Sequence, residues 1–194
     1  MSITETKNDL LKDLKLDETV RLFTPLEAMT AGDTRYLRDL RINLKNTLAS
    51  ENLSIKEACL IALAVSANEK NEVLAASFTS SAKENGATDA EIAEIYACAS
   101  MLSVNNVLYR FRHFVKNETY TNMPAGIKMN IMMNPVLGKE FFELVSLCVS
   151  ALNGCENCVG SHEASVRKLG SPEVRIFDAI RLTSVVKGLS AVIH

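Results

Sequence analysis

Two cysteines and a histidine are spaced for thiol chemistry in segment 153–162, which reads NGCENCVGSH. The Asn-Gly pair is typical of a break between helices, so we expect Cys155 to lie at the N-terminus of a new helix. At about 100° per residue, Cys155, Cys158 and His162 then fall within roughly 60° of one another on one helical face. Unpaired N–H groups and the helix dipole at such an end favour an anion, here a thiolate. The segment therefore predicts redox chemistry.

The two thiols need help to ionise, because an ordinary cysteine pKa of about 8.5 leaves only a few per cent as thiolate near neutral pH. The helix N-terminus favours the thiolate of Cys155. For Cys158 the natural base is His162, which follows it by four residues on the same helical face. Such a pair can cycle between dithiol and disulfide, which suits exchange with a partner or the resolution of a sulfenic acid.

A histidine that acts as a base needs an orienting partner, and the sequence offers Glu143 to His162. Glu143 lies in segment 141–149, which is apolar at most positions. A carboxylate there is costly unless it is paired or near water, so one interpretation is a functional carboxylate. The other is a carboxylate favoured only by the N-terminus of its helix.

Zinc binding is the competing interpretation of the two cysteines and the histidine. A structural zinc site needs four ligands, and the sequence lacks a second Cys or His pair at suitable spacing. Cys59, Cys98 and Cys148 lie inside apolar helical patterns, so we expect them to be packed in the core. We interpret His113 as structural.

Helices must position these residues, and no strand-like alternation is sustained anywhere in the chain, so we predict an all-α fold. Thr88 to Glu91 matches a capping box, which opens a helix that we expect to end near Met101. Segment 105–113 is rich in Asn, Arg and aromatic residues, for which we favour a structural role over contact with a partner. The other helices are predicted at 1–16, 36–48, 55–68 and 138–152, in the segment from Cys155, and from a Ser171 cap with Pro172 as first helical residue.

The helical pattern occurs twice, with an offset of 84 positions (149 − 65) that places Val65-Ser66-Ala67 on Val149-Ser150-Ala151. We therefore predict one domain, 1–194, built from two similar helical halves, about 1–120 and about 121–194. The same offset places residues without redox chemistry opposite the site: Cys59 on Glu143, Asn71 on Cys155, Leu74 on Cys158 and Phe78 on His162. We expect one redox site, in the C-terminal half.

Composition excludes some partners. A net charge of −2 and no strongly basic patch disfavour binding to a phosphate backbone, so we expect no nucleic-acid partner. No stretch has the length needed to cross a bilayer, and the N-terminus lacks the apolar core of a signal peptide. We predict a cytoplasmic protein.

The site residues resemble the AhpD-type alkylhydroperoxidases, within the wider carboxymuconolactone-decarboxylase-like superfamily. The family pattern Glu-x11-Cys-x-x-Cys-x3-His matches Glu143, Cys155, Cys158 and His162, and the resemblance covers most of the second half closely and the first half loosely. Family relatives often carry His where this chain has Asn157. The supporting segments are NNVLYRFR at 105–112, MNI at 129–131, NP at 134–135 and ALNGC at 151–155.

The resemblance implies an antioxidant peroxidase that reduces organic hydroperoxides and passes electrons to an AhpC-type peroxiredoxin. It binds no cofactor, and its electron donor is the dihydrolipoyl group of a 2-oxoacid dehydrogenase subunit, recharged by dihydrolipoamide dehydrogenase. The resemblance also implies that Glu143 and His162 form a proton relay through water to Cys158, where the family places the sulfenic acid, and that Cys158 in turn helps to ionise Cys155. The sequence alone favours Cys155 as the more exposed attacking thiol, so the division of labour stays open. The family also forms homotrimers or larger rings.

Two further function classes remain. A decarboxylase or isomerase could use the same superfamily fold, although such relatives typically lack the cysteine pair. A non-enzymatic interaction protein or zinc-binding protein is the other alternative.

Overall fold

The computed structural model describes residues 1–17 and 22–194. Over these residues the chain is helical, without a strand, which confirms the all-α prediction. None of the helices within the described ranges is long and apolar enough to span a membrane. The α-helices are α1 (Ile3–Asp13), α2 (Thr24–Ala31), α3 (Tyr36–Leu48), α4 (Ile55–Asn68), α5 (Glu72–Glu84), α6 (Asp89–Val115), α7 (Glu118–Asn122), α8 (Lys139–Leu152), α9 (Glu156–Lys168) and α10 (Glu173–Ser190), with a 3₁₀ turn at Asn130–Met132.

Capping residues fix several helix starts. The Thr88 side chain accepts the N–H of Glu91, and the Glu91 carboxylate accepts the N–H of Thr88, which confirms the predicted capping box of α6. Ser54 opens α4 in the same way. The last helix begins one residue later than predicted, because Pro172 is its N-cap and Glu173 its first residue.

The duplication predicted from the sequence is present in the backbone. Helix α8 begins at Lys139, 84 positions after Ile55 of α4, and α9 begins at Glu156, 84 positions after Glu72 of α5. The turns between these helices match as well, since Lys70 (φ 57°) and Gly154 (φ 65°) are both left-handed at equivalent positions. Helices α4 to α6 and helices α8 to α10 therefore repeat one helical plan.

The core lies where the two copies meet. Helices α4 and α8 pack against each other, and both are covered by α6 and α10. The side chains of α4 from Ala58 to Ser66 are all buried, as are those of α8 from Leu144 to Ser150. Since the two helices are apolar on most sides, each needs neighbours on most sides, and the other copy provides them.

Helix α6 corrects one expectation. It continues to Val115, far beyond the end predicted near Met101, and stops only where Lys116 adopts a left-handed conformation. The physical reason is that residues 102–115 contain no Gly or Pro, so nothing breaks the helix. Asn105 and Asn106, which lie in this added part of the helix, are buried.

The connector before α8 is held to α6 by a carboxylate. Glu94 is buried and accepts the backbone N–H groups of Val136 and Leu137 at 2.9 and 2.7 Å. This contact fixes the connector 123–138 against α6. The segment bracketed by Pro124 and Pro135 is thus placed beside the site described next.

Candidate active site

Cys155 is the N-cap of α9, as the Asn-Gly break predicts. Gly154 is left-handed, a conformation that glycine adopts without steric cost. The N–H of Cys155 then donates to the carbonyl of Ser150 at 3.2 Å, which turns the chain back onto α8. Cys158 lies one turn further, and the two sulfurs form a disulfide.

The exposure of the two sulfurs is the reverse of the sequence-based expectation. The Cys155 side chain is fully buried, whereas Cys158 is 8% exposed and lines a pocket. The physical reason is that the tight turn at Gly154 presses the N-cap against the core, while the next helical turn faces outward. Cys158 is therefore the sulfur that an incoming molecule reaches in the disulfide state.

Glu143 and His162 pair across the two helices of the C-terminal copy. The Oε2 atom of Glu143 lies 2.7 Å from Nδ1 of His162, and both side chains are largely buried, at 18% and 12% exposure. A carboxylate at Nδ1 leaves Nε2 as the ring nitrogen for groups in the pocket. The structure thus brings together the four residues that the sequence singled out.

The pocket beside Cys158 has a volume of about 280 Å³. One wall comes from α9, a second from the connector and a third from α6, so both copies of the repeat contribute to it. The sequence-based reasoning did not place the α6 residues in the site, although the NNVLYRFR segment that contains three of them was noted. The lining residues are Leu102, Asn105, Asn106, Tyr109, Met129, Met132, Asn157, Cys158, Ser161 and His162.

An amide network anchors the turn that carries Cys155. Asn106 donates to Ser150 Oγ at 3.1 Å, and Asn153 donates to Asn106 Oδ1 at 2.8 Å. Asn68 of the other copy donates to Asn153 Oδ1 at 3.0 Å, and Arg110 donates to the Asn153 carbonyl at 2.6 Å. These contacts give Asn106 and Arg110 the structural role that we favour for segment 105–113.

His113 connects the end of α6 to the turn that carries Cys155. Its Nε2 atom lies 3.1 Å from the carboxylate of Glu156, the residue directly after Cys155. The contact agrees with the structural interpretation of His113.

The equivalent position in the N-terminal copy holds no redox group. Asn71 caps α5 with nearly the same backbone angles as Cys155 (φ −92°, ψ 91° against φ −95°, ψ 90°). The counterparts of the other three site residues, Cys59, Leu74 and Phe78, are buried in the core. The same backbone thus supports packing in one copy and the cysteine site in the other.

Within residues 1–17 and 22–194, no group of three or more His, Cys, Asp or Glu side chains is arranged to hold a metal ion. A structural zinc site would need four such ligands.

Comparison with family models finds a match to the carboxymuconolactone decarboxylase family at residues 36–112 and again at 118–194. The two matched segments correspond to the two copies seen in the structure. The comparison therefore supports the duplication independently of the helix boundaries.

Two similar curated proteins share one description. A protein from Anaeromyxobacter dehalogenans, described as alkyl hydroperoxide reductase AhpD, is 37% identical over 161 residues, which cover 83% of this chain and 86% of that protein. A protein of the same description from Coxiella burnetii is 38% identical, over 81% of this chain and 90% of its own length.

A crystal structure from Burkholderia xenovorans has a similar fold, with a TM-score of 0.69 over 98% of this chain and 95% of that one. That protein is provisionally described as a gamma-carboxymuconolactone decarboxylase subunit. Its sequence identity to this chain is 13%, so the likeness concerns the fold alone.

Proposed function

Because the chain belongs to the carboxymuconolactone decarboxylase family, and within it to the AhpD-type alkylhydroperoxidases, we propose that it reduces organic hydroperoxides with the Cys155–Cys158 pair. The observation that carries the proposal is the disulfide beside the paired Glu143 and His162, at a pocket that reaches Cys158. The proposal also includes the roles of the single residues, a lipoyl group as electron donor and a peroxiredoxin as partner.

In the oxidative half of the cycle, His162 takes the proton of the reduced Cys158, and Glu143 stabilises the resulting imidazolium. The Cys158 thiolate attacks the terminal oxygen of the hydroperoxide, and the O–O bond breaks. The alkoxide leaves as an alcohol with the proton from His162, and Cys158 becomes a sulfenic acid. Cys155 then attacks the Cys158 sulfur, which forms the disulfide and releases water.

In the reductive half, a dihydrolipoyl group of a 2-oxoacid dehydrogenase subunit supplies the electrons. One of its thiolates attacks Cys158, because Cys155 is fully buried, and Cys155 leaves as a thiolate at the N-terminus of α9. The second lipoyl thiol then attacks the lipoyl sulfur bonded to Cys158. Cys158 leaves as a thiol, so the Cys155–Cys158 pair is a dithiol again and the lipoyl group is a disulfide. Dihydrolipoamide dehydrogenase recharges the lipoyl group. The reduced Cys155–Cys158 pair can pass its electrons to an AhpC-type peroxiredoxin instead of to a hydroperoxide.

We also propose a homotrimer in the cytoplasm. Apolar side chains on one side of α6 support association between copies, since they are about half or more exposed in the single chain. They are Val104, Val107, Phe111 and Phe114. Light scattering coupled to size-exclusion chromatography gives the number of chains directly.

A coupled assay tests the proposed function. The reduced protein is mixed with lipoamide, dihydrolipoamide dehydrogenase, NADH and cumene hydroperoxide, with and without an AhpC-type peroxiredoxin. We expect NADH oxidation that depends on this protein, and the two arms separate direct peroxide reduction from electron transfer to the peroxiredoxin. NADH oxidation that is no faster than without the protein contradicts the proposal and favours the decarboxylase or isomerase alternative on the shared fold.

A further inference from the structure

Asn105 stands out in the pocket because one end of its side chain is unpaired. The side chain is 5% exposed, and its Oδ1 atom has no hydrogen-bond partner among the described residues. The amide nitrogen lies 2.9 Å from the sulfur of Met129, and a thioether is a weak acceptor. The amide is therefore buried without a strong partner at either end.

The next residue, Asn106, lines the same pocket, but its side-chain amide has hydrogen-bond partners. Asn106 donates to Ser150 and accepts from Asn153, so its amide is satisfied at both ends. A buried amide oxygen without a partner costs free energy, which a ligand that donates a hydrogen bond would recover. Asn105 lines the same pocket as Cys158 and His162, so such a ligand would lie beside the reactive sulfur.

The rest of the pocket defines the other part of the ligand. Leu102, Met129 and Met132 present apolar surface, and methionine side chains adapt to ligands of different shape. The ligand should therefore combine an apolar group with an O–H donor close to the atom that Cys158 attacks. An alkyl hydroperoxide has both features, because its terminal oxygen carries the hydrogen and is also the electrophile.

We propose that Asn105 is a substrate-positioning residue whose amide oxygen accepts the terminal O–H of an alkyl hydroperoxide, while Leu102, Met129 and Met132 hold the alkyl group. This inference rests on the proposed function, since it assigns a substrate contact to the same site. The O–H contact holds the terminal oxygen against the Cys158 sulfur. The S–O bond then forms as the O–O bond breaks, and His162 gives its proton to the leaving alkoxide.

The test measures the two halves of the cycle separately in Asn105→Ala and Asn105→Leu. Stopped-flow oxidation of the reduced protein by cumene hydroperoxide should slow about two- to tenfold, the range expected for one hydrogen bond. Oxidation by hydrogen peroxide should slow to a similar degree, because it also carries the O–H. Reduction of the disulfide by a phosphine reagent, which brings no such donor, should be unchanged.

One control variant and one further test variant accompany the Asn105 variants. Asn85→Ala removes an exposed amide at the end of α5 that donates to the Ser81 carbonyl and does not line the pocket, so it should change neither half of the cycle. Met132→Ala should slow cumene hydroperoxide but not hydrogen peroxide, because only the former has an alkyl group. The Leu variant serves if the Ala variant does not fold.

The outcomes separate this inference from the proposed function. A wild-type protein that keeps both thiols under peroxide contradicts the proposed function itself. A wild-type protein that cycles, with Asn105 variants oxidised at the wild-type rate, contradicts only the role of Asn105. A parallel loss of oxidation, phosphine reduction and melting temperature in both variants also overturns it, since that pattern indicates a structural role.

Discussion

The carboxylate of Glu143 lies 2.7 Å from the imidazole of His162, although the two residues are 19 positions apart and belong to different helices. The pair forms because α8 and α9 fold back on each other across the tight turn at Gly154. The imidazole of His162 also lines the pocket beside Cys158, as the proposed proton transfer requires.

Glu143→Gln should keep the shape of the pair and remove its charge. We expect the rate of peroxide reduction to fall by roughly 10²-fold, the lower end of what positioned proton transfer contributes. His162→Ala should lose at least as much. Stopped-flow oxidation of the reduced proteins gives these rates, and a Glu143→Gln protein with the wild-type rate and a wild-type pH profile would exclude the relay.

The cysteine variants should differ in a way that assigns their roles. Cys155→Ser keeps the accessible sulfur, so we expect peroxide to oxidise it once, to a sulfenic acid at Cys158 that a dimedone probe labels. Cys158→Ser should form no such adduct, because Cys155 is buried. Mass spectrometry of tryptic peptides reads the site, and a label on Cys155 in the Cys158→Ser protein would reverse the assignment.

The three remaining thiols should be inert in the folded protein. Burial raises the pKa of Cys59 to about 11 and the pKa values of Cys98 and Cys148 to about 12, so all three stay neutral near pH 8. A thiol reagent should therefore find no reactive thiol in the native oxidised protein and only Cys158 after reduction, because Cys155 is buried as well. Denaturation of the oxidised protein should expose three thiols, and rapid labelling of Cys59 in the native state would contradict the packing described.

Arg175 should stabilise the fold by joining the two copies. It donates to Glu57 of α4 and to Glu140 of α8, and its side chain is 15% exposed. We expect Arg175→Ala to lower the free energy of unfolding by about 3 kcal/mol, the lower end for removing one partner of a buried pair. Urea unfolding measures this, with Arg181→Ala as the control, because its pair with Asp178 leaves the Arg181 side chain 55% exposed and should contribute less than about 1 kcal/mol.

The same contact predicts a dependence of stability on pH. Burial raises the pKa of Glu57, but hydrogen bonds from Arg175 and Ser54 outweigh it and hold the pKa below its usual value of 4.5. The stabilisation is therefore complete above about pH 4.5 and is lost as pH falls through the lowered pKa. Urea unfolding between pH 7 and pH 3 should show a shallower fall in Arg175→Ala than in the wild type, and equal slopes would contradict this contribution.

Local patterns made much of the fold predictable. The caps at Ser54 and Thr88, the break at Asn153-Gly154 and the offset of 84 positions all depend on neighbouring residues or on repeated spacing, and the structure contains each of them. The end of α6 was predicted wrongly. The helix was expected to end near Met101, whereas it continues to Val115, and its Asn106 side chain bonds to Ser150 and Asn153, which are 44 and 47 positions away.

The sequence by itself determined the helical class and the duplication and singled out Glu143, Cys155, Cys158 and His162, because residue type, helical period and cap chemistry are local properties. Only the tertiary structure decided that α6 of one copy forms a wall of the pocket in the other, that Cys158 and not Cys155 is the accessible sulfur, and that Asn105 has an unpaired oxygen. Exposure and unpaired polar atoms depend on which distant helices cover a side chain. That packing is set by the whole core, so no single segment encodes it.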